Sequence, residues 1–350
     1  MKDITEYVLY ELQKQNGPEP KAVVLGDLNY DYIFNCPALQ PGKEVMISTF
    51  FRNIAGAGGY FSCGLARLGA DVALLTDVGE DHDGKSLVKE IQEAGVNVQG
   101  IRVLRDKKTP FSMIFTPEKE KKPRQVATYP GTLDEFSVRN TDYRYIREAE
   151  LVYSCNYFIL RRLRREIPEV FRLARTRNIL TAYDANAGDG WEEPDQLKLL
   201  KNKIYPATDI IFLNQHESCC LTGTAHPDEA LRVISPNSTT VVIKLGPGGV
   251  AIRHRKRTFK LAGFSVGDKL KDTIGAGDSF QAAFIYFYLK RFPIELCGIL
   301  GQANAASTTM HHGGTTGQCN RKQLAEFIKN FHINDMGDGV ISVETGRRRL

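Results

Sequence analysis

The stretch Asp272-Thr-Ile-Gly-Ala-Gly-Asp278 combines residue types and spacing suited to phosphoryl chemistry. Gly275, Ala276 and Gly277 run directly into a segment whose Phe280, Ala283, Phe284 and Phe287 share one helical face. A helix N-terminus carries unpaired N–H groups and a partial positive charge, and small residues let a phosphate approach them. Asp278 falls in the first turn beside that anion site. A carboxylate there repels phosphate unless it has a task, and in phosphoryl transfer the task is to accept the proton of the attacking hydroxyl. The helix dipole is expected to keep it ionised at neutral pH. The bland alternative is a glycine turn followed by an ordinary Asp. No Gly-Lys-Ser/Thr follows, so this is not a Walker A loop.

Other residues could join such a site. Asp31 follows the apolar run Lys21 to Gly26, and an α/β fold places ligand contacts at the C-terminal ends of its strands, although on its own it reads first as a turn residue. Lys244-Leu-Gly246-Pro-Gly248-Gly249 reads, on its own residues, as a simple hairpin. Gly56-Ala-Gly58, with Asp77 at the end of the next strand, imitates a dinucleotide fingerprint. Phe61 stands where that motif needs a small residue, which argues against it. His216, Cys219 and Cys220 have helical spacing for metal ligands, but no second ligand pair completes a tetrahedral site, so core packing is expected. His311-His312 has no recognisable metal scaffold either.

The elements that must position these residues follow from periodicity. Residues 1–17 read as a short amphipathic helix, 21–26 as a buried strand and 58–69 as a helix. Residues 72–75 read as a strand and 86–94 as a helix. From about 150 onward, apolar runs at 151–154, 180–184, 210–213 and 240–244 alternate with helical segments such as 162–177. That pattern predicts a parallel sheet covered on both faces. The β-rich stretches near 30–55 and 109–130 predict a smaller sheet, with the charged segment Pro117 to Pro123 as its hairpin tip or loop.

The 350 residues are 42% apolar, 25% charged and 9% aromatic, which excludes wholesale disorder. No run approaches the roughly 18 apolar residues of a membrane span. The first 17 residues hold Asp3, Glu6 and Glu11 in place of a secretory signal core. A net charge of +5, with basic clusters at Arg161–Arg165, Arg253–Arg257 and Arg347–Arg349, gives no reason to invoke nucleic acid. Seven scattered cysteines read as reduced, mostly buried thiols of a cytoplasmic protein.

The motif Asp272 to Asp278 resembles the C-terminal signature of the ribokinase-like (PfkB) carbohydrate kinases, and about residues 21–330 follow that family's motifs in order. Gly26-Asp-Leu-Asn-Tyr-Asp31 resembles its first-strand motif, which implies that Asp31 grips substrate hydroxyls with Asn29 beside it. Ala55-Gly56-Ala-Gly-Gly-Tyr60 through Val72 resembles the first family signature. It departs at Ala55, where the family has Gly, and at Tyr60, where the family has a sugar-binding Asn. A ring at 60 either serves a larger or flatter substrate or packs away from the site. Asp184-Ala-Asn186 to Trp191 is similar to a pattern of the fructokinase and ketodeoxygluconate kinase branch, with Gly188 in place of its Arg.

By the same resemblance, Asn214 and Glu217 hold a hydrated Mg²⁺ against nucleotide phosphates, with a helix cap as the alternative. Lys244, Gly246, Gly249 and Gly277 belong to the ATP site, and Asn304 flanks the adenine. The carbonyls of Asp272 and Ile274, with the 311–314 turn, form a monovalent-cation loop that is a candidate for K⁺.

The fold implied is an α/β ribokinase-like body with a mostly parallel central sheet and a small β-sheet lid drawn from about 29–55 and 109–130. A helical extension (1–20), a kinase domain (21–335) and a C-terminal tail (336–350) complete the organisation. The activity implied is ATP-dependent phosphorylation of a small sugar. Asp278 would be the base, and Gly275, Ala276 and Gly277 the anion hole. Asp31, Asn29, Gly56 and Tyr60 would line the acceptor site, and the lid could form a homodimer. A nucleoside kinase of the same fold, and a non-catalytic sugar- or nucleotide-binding regulator, are the alternatives.

Overall fold

The computed structural model describes residues 1–14, 17–117, 124–186, 188, 190–234 and 240–346. Its elements begin with β1 (Lys2–Asp3), α1 (Thr5–Gln13), β2 (Lys21–Leu25), β3 (Asn29–Cys36) and β4 (Thr49–Ala55). Next come α2 (Ala57–Leu68), β5 (Asp71–Gly79), α3 (His82–Glu93), β6 (Ile101–Leu104), β7 (Phe111–Pro117) and β8 (Gln125–Tyr129). The second half holds α4 (Tyr143–Glu148), β9 (Leu151–Cys155), α5 (Leu163–Thr176), β10 (Leu180–Asp184), β11 (Ile210–Asn214), α6 (Gln215–Thr222) and α7 (Pro227–Val233). It continues through β12 (Thr240–Lys244), β13 (Val250–His254), β14 (Arg257–Leu261) and α8 (Ala276–Leu289). The last elements are α9 (Ile294–Thr309), α10 (Arg321–Ile328), β15 (Phe331–Gly337) and β16 (Val340–Thr345).

The apolar runs form the middle of a twelve-stranded sheet ordered β1-β15-β16-β14-β13-β12-β11-β10-β9-β2-β5-β6. From β12 to β6 every neighbouring pair is parallel. Side chains alternate between two cores, as the two-residue period of a strand requires. Ala22 and Val24 face the core built with α2, α8 and α9, whereas Val23 and Leu25 face the one built with α5. The chain leaves β2 for β5 on one side and returns to β9 on the other, so the sheet's switch point lies between β2 and β9. Ligands of open α/β sheets bind at the strand C-termini near such a point.

A second sheet, β4-β3-β7-β8, is the expected lid. Its register pairs Asp31 with Asn53 and Phe34 with Phe50, so Asp31, Ile33 and Asn53 share one face and Tyr32, Phe34 and Phe50 the other. Residues 118–123, most of the predicted lid tip, and the Arg347–Arg349 cluster lie outside the described residues.

The chain ends differ from expectation. Residues 336–345 are not a tail: β15 and β16 form an antiparallel hairpin that continues the large sheet beside β14. β1 pairs with β15, and the α1 segment is tied to the body where Arg321 donates to the carbonyls of Leu12 and Lys14. Among the described residues, both end segments thus join the large sheet.

Candidate active site

Four strands of the parallel part of the sheet deliver side chains to one edge. Asp184 ends β10, Asn214 ends β11 and Lys244 ends β12, while Asp27 follows β2. The Asp27 carboxylate accepts from the N–H groups of Ala57 (3.1 Å) and Gly58 (3.0 Å), pinning the start of α2 to the sheet. Gly56 enters that helix at φ +86°, and a Cβ there would lie 2.7 Å from the Asp27 carbonyl oxygen, so only glycine fits. Gly56 therefore shapes the floor of the site.

Gly275 caps α8 in the left-handed region, at φ +68°. The N–H groups of Gly275, Gly277 and Asp278 have no acceptor among the described residues. These are the orphan donors of a helix start, and Ala276 and Gly277 are partly exposed above them. The Lys244 ammonium lies 3.4 Å from where a Cβ on Gly277 would stand. Unpaired amides of a helix start thus lie close to an ammonium, an arrangement that suits a phosphoryl group. Gly275→Ala would put its Cβ 2.6 Å from the Cα of Gly314. We expect it to cost about 1–2 kcal/mol in denaturant unfolding, from the left-handed backbone alone. It should also lower kcat/KM through displacement of the 313–314 turn.

Lys244 Nζ lies 2.5 Å from Asp184 Oδ2, and Asp184 is wholly buried. Asp184 also receives Gln281 Nε2 and the Asn186 N–H (2.8 Å). Burial alone would lower the lysine, but the charges of Asp184, Glu217 and Asp278 hold it above its usual value. Asp278 has one oxygen, Oδ1, buried and without a partner. Burial pushes its carboxyl up to about 8; Asp184 and Asp27 add to the shift, against Lys244 and Asn186. The expectation that the helix dipole keeps Asp278 ionised is therefore reversed in the free protein. The loss of water and the carboxylates of Asp184 and Asp27 outweigh the dipole.

Asn214 and Glu217 form a reciprocal capping box at the start of α6, with the Glu217 N–H donating to Asn214 Oδ1 (2.9 Å) and the Asn214 N–H to Glu217 Oε2 (2.8 Å). Glu217 is nonetheless buried in the acidic cluster, and burial followed by the charge of Asp184 pushes it up to about 7. The cap and the acidic site are therefore one structure.

On the lid side, Asp31 Oδ2 accepts from the Tyr60 hydroxyl (2.7 Å) and Oδ1 from Asn29 Nδ2 (3.1 Å). Burial pushes Asp31 up to about 6 despite these bonds. The Tyr60 ring is 5% exposed, within a cluster of Ile33, Ala55, Ile114 and Ile274. It is packing with a polar tip, and its face is closed to a base. Asp272 ties its own loop to the neighbouring turn, accepting from Ile274 N–H (2.9 Å) and Gly313 N–H (3.2 Å). The carbonyls of Asp272 and Ile274 accept no hydrogen bond among the described residues.

Asn304 departs from the expected nucleotide role. It is fully buried, its Nδ2 donates to the Ser279 carbonyl (2.8 Å) and its Oδ1 accepts from Cys319 N–H (2.8 Å). Both ends of the amide tie α9 to α8 and to the 319 segment. Sequence reasoning also passed over Asp27, Asp184 and Asn53 as site residues. Asn53 has its Nδ2 buried and unpartnered on the inner lid face, opposite Asp31. A cavity of about 650 Å³ at the opposite edge of the sheet, among Arg147, Arg175, Arg177 and Arg291, includes none of the motif residues.

The comparison with known families agrees with this geometry. Residues 19–321 match the model described as pfkB family carbohydrate kinase. The chain belongs to the pfkB family of carbohydrate kinases. The kinase is 29% identical over 260 residues to an uncharacterized sugar kinase of Archaeoglobus fulgidus, covering 73% of this chain and 97% of that protein. It is 23% identical to a nucleoside kinase of Methanocaldococcus jannaschii, over 91% of this chain and 99% of that one. Its fold is that of Arabidopsis thaliana ribokinase complexed with ribose and ATP, with a TM-score of 0.77 at 20% identity, over 89% of this chain and 99% of that one. In the kinase, no helix among the described residues is long and apolar enough to cross a membrane.

Proposed function

We propose that this kinase transfers the γ-phosphoryl group of ATP to a hydroxyl of a small sugar or sugar-like acceptor, with Asp278 as general base. The carrying observation is the unpartnered Asp278 carboxylate oxygen in the first turn of α8, beside three free amides and Lys244. The phosphates of ATP lie along Gly246 to Gly249 and Gly277, and the amides of Gly275 to Asp278 receive charge on the transferred group. Asp31, Asn29 and Asn53 orient the acceptor, and the lid excludes water.

The carboxylates of Glu217 and Asp184 offer oxygen ligands, which fits a hard, hydrated Mg²⁺ held through water with Asn214 at its edge. When bound, that ion neutralises phosphate charge. The unengaged carbonyls of Asp272 and Ile274 fit K⁺. A coupled ATP-consumption screen over ketoses, aldoses, sugar phosphates and nucleosides, with and without K⁺, tests the reading. Tight sugar binding without any ATP consumption would favour a regulator.

Among acceptors, Tyr60 favours sugars over nucleosides, because its ring is enclosed and its hydroxyl occupies Asp31. Tyr60→Phe leaves a buried carboxylate oxygen unpaired and should cost about 1–3 kcal/mol of stability. It should lower the acceptor KM several-fold, since a substrate hydroxyl now fills an empty position, and leave the ATP KM unchanged. A raised acceptor KM would mean that Tyr60 itself holds the substrate.

The outer lid face carries Tyr32, Phe34, Phe50, Phe111, Phe115 and Tyr129 in a row of ring contacts, with Phe50 54% exposed. Such a patch suits a second copy of the chain. Sedimentation should give a dimer that Phe50→Asp converts to monomer. The seven free cysteines support placing the kinase in the cytoplasm.

A further inference from the structure

His216 and Cys220 stand one turn apart on α6, and Glu192 reaches them from the segment that follows Trp191. Core packing was the expectation for His216, Cys219 and Cys220, yet the His216 and Glu192 side chains are exposed and both cysteines only half-buried. A helical i, i+4 pair puts both donors on one face, and the third comes from a segment that sequence spacing could not connect to it.

Two of the three separations match those an ion would require, and the third is bounded. His216 Nε2 lies 3.1 Å from Glu192 Oε1 and 3.6 Å from Cys220 Sγ, and the donor atoms of all three residues fall within 4.8 Å of one another. Zinc bonds of about 2.0–2.2 Å to nitrogen and oxygen and about 2.3 Å to sulfur, at tetrahedral angles, place N and O roughly 3.3 Å apart and N and S roughly 3.6 Å apart. An ion at the centre of the three would need little rearrangement.

We propose that Glu192, His216 and Cys220 form a transition-metal site, of the class that binds Zn²⁺, with water in the fourth position. The donor chemistry separates it from the Mg²⁺ chemistry of the kinase centre. A thiolate and an imidazole select zinc-like ions, whereas Mg²⁺ takes hard oxygen ligands. Binding displaces the Cys220 thiol proton to solvent. The bound ion ties the stretch that holds Asn186 and Trp191 to the helix that holds Glu217. Trp191 Nε1 donates to the Asn186 carbonyl (3.1 Å), and the Asn186 N–H to Asp184 (2.8 Å), so that stretch is continuous with the acidic cluster. The site itself needs no kinase activity and does not rest on it.

The test uses Co²⁺ as a spectroscopic stand-in for zinc, with the full chain in reducing, chelator-free buffer containing excess Mg²⁺. One equivalent should produce visible d–d bands of tetrahedral intensity and a near-ultraviolet thiolate charge-transfer band, and Zn²⁺ should bleach both. Cys220→Ser should abolish the charge-transfer band, and His216→Ala should weaken binding by about 100-fold or more. Loss of a partner to a ligand already costs about 10–100-fold, and loss of a ligand should cost at least as much. Cys219→Ser should leave the spectrum intact. All three residues are at the surface, so circular dichroism should show these variants folded. The proposal is overturned if no saturable band forms, if excess Mg²⁺ prevents it, or if the band survives in Cys220→Ser and disappears in Cys219→Ser.

Discussion

Asp278→Asn should lower kcat by about 10²–10⁴, the usual worth of a positioned general base, with little change in ATP affinity. The same substitution should stabilise the free protein at alkaline pH. Asp278 is pushed up to about 8 from an ordinary 3.8, with Glu217 at about 7 and Asp31 at about 6. The folded state therefore holds protons that the unfolded chain has released. For Asp278, the stabilising effect of that proton is complete below pH 3.8 and is lost as pH rises through about 8. Free wild-type protein should accordingly be less stable at pH 8 than at pH 5, and Asp278→Asn should flatten that slope. In activity the sign is opposite. A base must lose its proton, so wild-type kcat/KM should climb as pH approaches about 8, and the residual rate of the variant should not. Urea unfolding and pH–rate profiles check the two halves independently.

Lys244→Met should be the most destabilising single change at the site. It leaves Asp184 wholly buried without its cation, beside Glu217 and Asp278. Removing one partner of a buried pair typically costs about 3–5 kcal/mol, because the remaining charge is uncompensated. Glu217 and Asp278 should then bind their protons more tightly still, moving any residual activity to higher pH. Loss of the ammonium beside Gly277 should also raise the ATP KM. Denaturant unfolding with nucleotide titration measures both effects. The double variant Asp184→Asn/Lys244→Met should recover part of the lost stability, since it removes both charges.

Much of the architecture was legible because its signals are local. The runs at 151–154, 180–184 and 240–244 have the length and unbroken apolar character of strands buried on both faces, and they are β9, β10 and β12. The glycines of 275–277 announce a helix start open to an anion through backbone properties alone. What sequence reasoning missed depends on contacts between distant residues. Asp184 and Lys244 are 60 positions apart and meet only because β11 lies between their strands in parallel register. The protonation of Asp278 is hidden for the same reason, since Asp184 and Lys244 arrive on two other strands and Asp27 just after a third. Asn304 has a plausible motif position, but the segment around Cys319 claims its amide. The β15–β16 hairpin escaped notice because its strands are rich in polar residues and its turn, Gly337-Asp-Gly339, resembles the start of a loose end.

In the proposed reaction, Asp278 deprotonates an acceptor hydroxyl that then receives the γ-phosphoryl group. The most direct measurement follows label from γ-labelled ATP in wild type and Asp278→Asn, across the panel of sugars and nucleosides, with Mg²⁺ present. Wild type should move label into an acid-stable phosphomonoester of one acceptor class, most strongly a sugar, and Asp278→Asn should bind both substrates but transfer almost none. Equal transfer by the two proteins, or label found only in inorganic phosphate with every acceptor, would contradict it.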